Sequence, residues 1–153
     1  KRSESDVLKE MVPDESGYRF AVRTWFENSW LYRTLRELSE SDFTVVITSD
    51  HGTVRVKRGV LVGADRETSS GVRYKYGRNL NSKEKNALII RKSSDYRLPE
   101  LVHQTNYLVA KDDVFFLYPN QQHRYQDKLK GSFQHGGISM EEIMVPVVTM
   151  RGY

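Results

Sequence analysis

Asp50 and His51 stand side by side in Thr48-Ser49-Asp50-His51-Gly52, directly after the apolar, β-branched run Phe43-Thr44-Val45-Val46-Ile47. A carboxylate and an imidazole together offer oxygen and nitrogen donors that suit Zn²⁺, with Mn²⁺ or Fe²⁺ as weaker alternatives. Neighbouring residues on a regular strand point to opposite faces, so one metal takes both only where the strand has ended. Gly52 gives the backbone the freedom for that turn. The tripeptide also reads as a plain turn in which Asp50 binds backbone amides.

A second segment, Phe133-Gln134-His135-Gly136-Gly137-Ile138-Ser139-Met140-Glu141-Glu142, offers His135 on a loop loosened by two glycines. Ser139 and Glu142 have capping-box spacing, which predicts a helix starting at Ser139. Pro146 ends that helix, and Val147-Val148 read as another buried strand. Held in this way, His135 can be presented to a metal. It reads as readily as a loop histidine packed on, or bonded to, backbone.

These loops need elements to position them. Val45 to Ile47 mark a strand buried on both faces, as in a parallel sheet flanked by helices, and ligands bind beyond the carboxyl ends of such strands. Upstream, apolar side chains at helical spacing (Phe20, Ala21, Trp25, Phe26, then Leu31, Leu35, Leu38) predict two consecutive helices over 17–39 with aromatic anchors. Ser29 is the N-cap expected for the second. Ser5 to Val12 read as the tail of a further helix ended by Pro13. Thr53 to Val62 alternate and predict a half-exposed strand bent at Gly59. More strands are expected at Ala87–Ile90, Tyr107–Ala110, Val114–Leu117 and Val145–Thr149, with short helices near Leu98–Gln104 and Ser139–Ile143. Ser69-Ser70-Gly71 and Tyr118-Pro119-Asn120 read as loops. The fold class is α/β with one core and a mixed sheet.

Composition is compatible with this. Among 153 residues, 38% are hydrophobic and 29% charged, and nine tyrosines argue against disorder. No apolar run approaches the roughly 20 residues that span a bilayer, so a soluble chain is expected. The absence of cysteine excludes disulfides and thiolate metal sites and suits a reducing cytoplasm. Lys1-Arg2-Ser3-Glu4-Ser5 shows no apolar leader and no initiator Met, and reads as a start inside a longer protein. The net charge of +4 is concentrated between Arg55 and Arg97. Such a stretch attracts phosphate-rich ligands, and it equally describes a solvated basic face. His103 reads as a helix-surface or packing residue and His123 as a polar loop or helix residue, neither with a partner at ligand spacing.

Asp-His-Gly after an apolar strand, followed by a late His-Gly-Gly-x-Ser-x-Glu-Glu-x-x-Val-Pro, resembles the PglZ branch of the alkaline phosphatase superfamily. The run from Ile47 to Val56, Arg73-Tyr74-Lys75-Tyr76-Gly77-Arg78-Asn79-Leu80 and Trp25-Phe26-Glu27-Asn28-Ser29 are similar to the output domain of PorX-type response regulators. The resemblance implies an alkaline-phosphatase-like central sheet, mostly parallel or mixed, flanked by helices. Residues 1–153 would form the C-terminal part of one such domain. It also implies two metal ions, usually zinc, with Asp50 and His51 on one and His135 on the other. The remaining ligands and a Thr or Ser nucleophile are expected upstream of this chain, since Asp6, Asp14, Thr24 and Thr34 do not match the family pattern. The chain by itself is therefore expected to bind metal weakly and turn over nothing.

Arg73, Lys75 and Arg78 come from a family-like segment and could hold a substrate phosphate, while Tyr74 and Tyr76 could stack on bases. Arg and Tyr alternation also describes an exposed strand. Two readings result. In the first, the chain belongs to a cytoplasmic two-zinc phosphodiesterase acting on oligonucleotides, as the effector of a two-component response regulator. In the second, it is a non-catalytic module binding a protein partner such as a transcription factor. No membrane insertion is expected, and a homodimer is allowed. Binding of nucleic acid without chemistry, through the basic stretch, is a third idea.

Overall fold

A computed structural model describes residues 12–63, 71–82, 85, 87–101, 103–119 and 122–152, without the side chains of His123 and Arg124. The helix tail expected over 5–12 lies outside these residues except for Val12, as do Ser69, Ser70 and Asn120 of the expected loops. The chain divides into two compact units, Lys1–His51 with Val145–Tyr153, and Gly52–Met144.

In the first unit the two expected helices form. Helix α1 (Glu15–Asn28) starts where the Asp14 carboxylate accepts from Gly17 N at 2.7 Å. Ser29 leaves the helical conformation and caps α2 (Trp30–Ser39), its Oγ accepting from Tyr32 N at 3.3 Å. Strand β1 (Thr44–Thr48) follows as the apolar run requires. Its one neighbour among the described residues is the last strand (Val147–Arg151, called β9 below), antiparallel to it, with Val46 opposite Thr149.

Three expectations for this unit are corrected. The strand predicted at Val145 begins at Val147, because Pro146 has no N–H for a ladder. The strand predicted to be buried on both faces of a parallel sheet has Val46 at 60% exposure, and Val147 on its antiparallel neighbour is at 69%. Of the aromatic anchors, Phe20 is 72% and Trp25 59% exposed. An apolar run encodes a demand for cover, not which element supplies it.

The second unit holds the core. Val54, Val56, Val60 and Val62 are buried and Leu61 is exposed, as the alternation predicted. The segment forms two strands, β2 (Val54–Arg55) and β3 (Arg58–Leu61), so the break falls at Val56-Lys57 and not at Gly59. Gly59 serves close packing: a Cβ there would lie 2.6 Å from Leu117 Cδ1. Strands β4 (Tyr74–Gly77), β5 (Ala87–Ile90) and β6 (Asn106–Ala110) make an antiparallel sheet in the order β4-β6-β5. Strand β7 (Val114–Leu117) pairs in parallel with β3. Every residue of β7 is buried. Val114 and Phe116 pack with Val60, Val62, Leu80, Leu108 and Ala110. Phe115 and Leu117 pack with Val54 and Val56.

Helix α3 (Gln122–Leu129) sets Tyr125 and Leu129 on that second cluster. Strand β8 (Phe133–Gln134) pairs with β2. Ser139 stands at the N-cap of α4 (Met140–Ile143), so the helix starts where predicted. No helix forms among the described residues of the stretch expected at Leu98–Gln104. A 3₁₀ turn lies earlier, at Ser93–Tyr96, and Pro99 opposes helical geometry at the residue before it. The architecture is thus mixed α/β with small separate sheets among the described residues, not one central sheet. No described helix is long and apolar enough to cross a membrane.

Candidate functional site

Strand β1 ends at Thr48, and the chain leaves regular geometry through Ser49, Asp50 and His51. The strand therefore stops before the candidate ligands, as joint coordination requires. Ser49 Oγ donates to the His51 carbonyl at 2.6 Å, and His51 N donates to Asp50 Oδ1 at 3.0 Å. The amide-binding turn and the donor pair thus coexist. One carboxylate oxygen holds the turn, while the other, Oδ2, stands 3.7 Å from His51 Nε2. The Asp50 side chain is 86% exposed and that of His51 39%.

Two donors on a tetrahedral zinc, each about 2.0–2.1 Å away, sit roughly 3.3 Å apart. The Asp50–His51 separation is close to that, and the donor types suit zinc. The pair therefore fits half of a coordination sphere. Within either unit, no described group of three or more His, Asp or Glu side chains is arranged to hold a metal.

His135 belongs to the second unit and is exposed, directly after β8. The loop that follows is tied down residue by residue. Gly136 takes a left-handed conformation, φ +100°. Gly137 N donates to Glu142 Oε1 at 2.9 Å, Ile138 N to the Ala110 carbonyl at 2.9 Å, and Ser139 N to Glu142 Oε2 at 3.0 Å. Glu142 thereby completes its half of the predicted capping box.

The basic residues expected to hold phosphate separate into two kinds. Arg73 is 0% and Lys75 2% exposed. Arg73 Nε donates to Glu142 Oε1 at 2.9 Å, its Nη2 to Glu142 Oε2, and its Nη1 to the Val114 carbonyl. Lys75 Nζ lies 4.2 Å from the Tyr118 ring centroid, beside a cavity of about 70 Å³ that Phe116, Leu117 and Tyr125 also line. Burial pulls its pKa down to about 8. Both side chains take interior positions, so the phosphate role expected of them meets the geometry poorly. Arg78, just past β4, is exposed.

The alternation that read as an exposed strand is real, but its basic face is the inward one. Tyr74 stacks on Tyr107, with ring centroids 6.1 Å apart, and Tyr76 lies tilted against the same ring at 6.4 Å, so both pack on Tyr107 instead of standing free for bases. His103 is exposed in a turn, and His123 lies in α3.

What the sequence does not reveal is the pairing of Arg73 with Glu142. Burial drives the Glu142 pKa up, but the bonds from Arg73, Gly137 N and Ser139 N outweigh it and hold the carboxyl below its ordinary value. Capping-box spacing revealed Glu142 as a helix cap. Nothing local could reveal Arg73, 69 residues earlier.

A family model described as the BREX system PglZ alkaline phosphatase-like domain matches residues 8–150. A comparison with curated proteins finds no match.

Proposed function

The chain belongs to the family of the BREX system PglZ alkaline phosphatase-like domain, and from that premise we propose that it is part of a two-zinc phosphoester hydrolase. Asp50 and His51 would hold one zinc and His135 the other. A preceding part of the same domain would bring the remaining ligands and the Thr or Ser nucleophile. Two metal ions in such a site neutralise charge on the transferred phosphoryl group and activate the hydroxyl nucleophile.

The residues of this chain have simpler tasks. Asp50 and His51 orient their donors through the turn that Ser49 closes. Arg78 contacts substrate phosphate from its exposed position. The basic stretch between Arg55 and Arg97 draws in a polyanion, which favours a phosphodiester such as an oligonucleotide over a small monoester. The expected setting is the cytoplasm, with the domain acting as effector of a response regulator.

The approach of Asp50 Oδ2 to His51 Nε2, 3.7 Å at the end of β1, carries this reading. Its test is metal analysis of the full-length protein together with hydrolysis of bis-p-nitrophenyl phosphate. Two equivalents of zinc are expected, with turnover abolished in His51→Ala and His135→Ala. Full turnover in His51→Ala would reject the assignment.

Exposure of Phe20, Trp25 and Trp30 in the first unit favours a second reading, a module that binds a protein partner such as a transcription factor. Full zinc occupancy without turnover on any phosphoester would select it.

A further inference from the structure

We propose that Arg73 and Glu142 are positioning residues: a buried ion pair that holds the loop from Gly136 to Ser139, and with it His135, in one conformation. Taking two charges out of water costs several kcal/mol, and an apolar pair of similar volume is often at least as stabilising. Stability alone is thus a weak reason for an ion pair whose side chains are 0% and 2% exposed. What an apolar pair cannot supply is acceptors for main-chain amides.

Glu142 supplies them at Gly137 N and Ser139 N, on either side of Ile138. Arg73 orients the carboxylate through Nε and Nη2. Its Nη1 is anchored in turn on the Val114 carbonyl of the fully buried strand β7. The loop is shaped around this guanidinium. A Cβ on Gly137 would stand 2.5 Å from Arg73 Nη2 and 2.6 Å from the Ala110 carbonyl oxygen. His135 is separated from this fixed stretch by Gly136 alone. Outer residues that orient a ligand typically change metal affinity about 10–100-fold when removed.

The zinc part of the proposal rests on His135 being a ligand, as read above; the loop part does not. The test uses the full-length protein and two measurements, amide hydrogen exchange over 136–139 and zinc affinity by chelator competition. The variants are the double substitution Arg73→Met with Glu142→Leu, and Glu142→Gln, which keeps one acceptor oxygen. The double variant is expected to keep its fold while exchange at Gly137 and Ser139 speeds at least about tenfold and one zinc equivalent weakens about 10–100-fold. Glu142→Gln is expected to recover part of both losses.

Loop exchange unchanged in the folded double variant overturns the proposal. So does loss of the whole fold in both variants, because the pair then serves the unit and not the loop. If the parent protein takes up no zinc, the ligand reading of His135 falls while the exchange measurement still decides the positioning role.

Discussion

The backbone of α4 passes so close to Gly52 that a Cβ there would lie 2.0 Å from the Glu141 carbonyl oxygen, and the Gly52 amide donates to the Glu142 carbonyl at 2.8 Å. The residue following His51 is therefore held by a close main-chain approach that leaves no room for a side chain, and not by a left-handed conformation. Glu142 serves this segment through its main chain and the Gly137 loop through its carboxylate.

Gly52→Ala is expected to be strongly destabilising, because the obstacle is main chain and cannot rotate away. Overpacking of this kind costs about 1–3 kcal/mol or more. Gly63→Ala, where the nearest atoms stand 3.9 Å from the added carbon, is expected to be within about 0.5 kcal/mol of the parent. Urea unfolding midpoints for the two variants compare them directly. Equal midpoints would contradict the close approach.

Arg73→Ala and Arg78→Ala separate an interior role from a substrate role. The first strands Glu142 as a buried unpaired charge, at an expected cost of about 3–5 kcal/mol. The second touches an exposed side chain and is expected to leave stability unchanged within about 0.5 kcal/mol while raising KM for a phosphodiester. An Arg73→Ala protein of parental stability would show that the pair is not coupled as described.

Lys75 predicts a rise of stability with alkaline pH. Its native pKa of about 8 lies below that of an unfolded lysine, about 10.4. Between these values the unfolded chain holds a proton that the native state has released, so unfolding becomes less favourable as pH rises. The gain is on the order of 3 kcal/mol at most. Tyr74 and Tyr107, whose pKa values burial raises, act in the opposite sense once unfolded tyrosines ionise near 10. Chemical denaturation at pH 7.5 and 9.5 stays below that range. The gain is expected in the parent and absent in Lys75→Met.

Glu142 governs the acid limb. Its folded-state pKa is depressed, so its contribution is complete above the unfolded value of about 4.3 and disappears as pH falls through the folded value. The parent should lose stability across that interval, and Glu142→Gln should start lower and fall less steeply there. Parallel acid profiles for the two proteins would contradict the sign of the shift.

Local patterns read from the sequence survive where they rest on local physics. Ser29 caps its helix because a side-chain oxygen reaches an amide only a few residues away. Val54, Val56, Val60 and Val62 turn inward because alternate residues of a strand share a face. Val114 to Leu117 forms a strand buried throughout, as four consecutive apolar residues suggest. The adjacency of Asp50 and His51 beyond the end of β1 also follows from order along the chain. So does the family, whose motifs lie in short stretches and whose match covers residues 8–150.

Only the tertiary structure could decide the rest. Arg73 and Lys75 look like a phosphate-binding face until Glu142, the Val114 carbonyl and the Tyr118 ring are seen to receive them inside. The run at Val45 to Ile47 fixes a strand, but its antiparallel pairing with residues a hundred positions away is not written in either segment. Local composition sets which conformation each segment prefers and how strongly it demands burial. Which distant side chain compensates a charge, and which main chain crowds a glycine, depends on contacts that have no counterpart in sequence spacing.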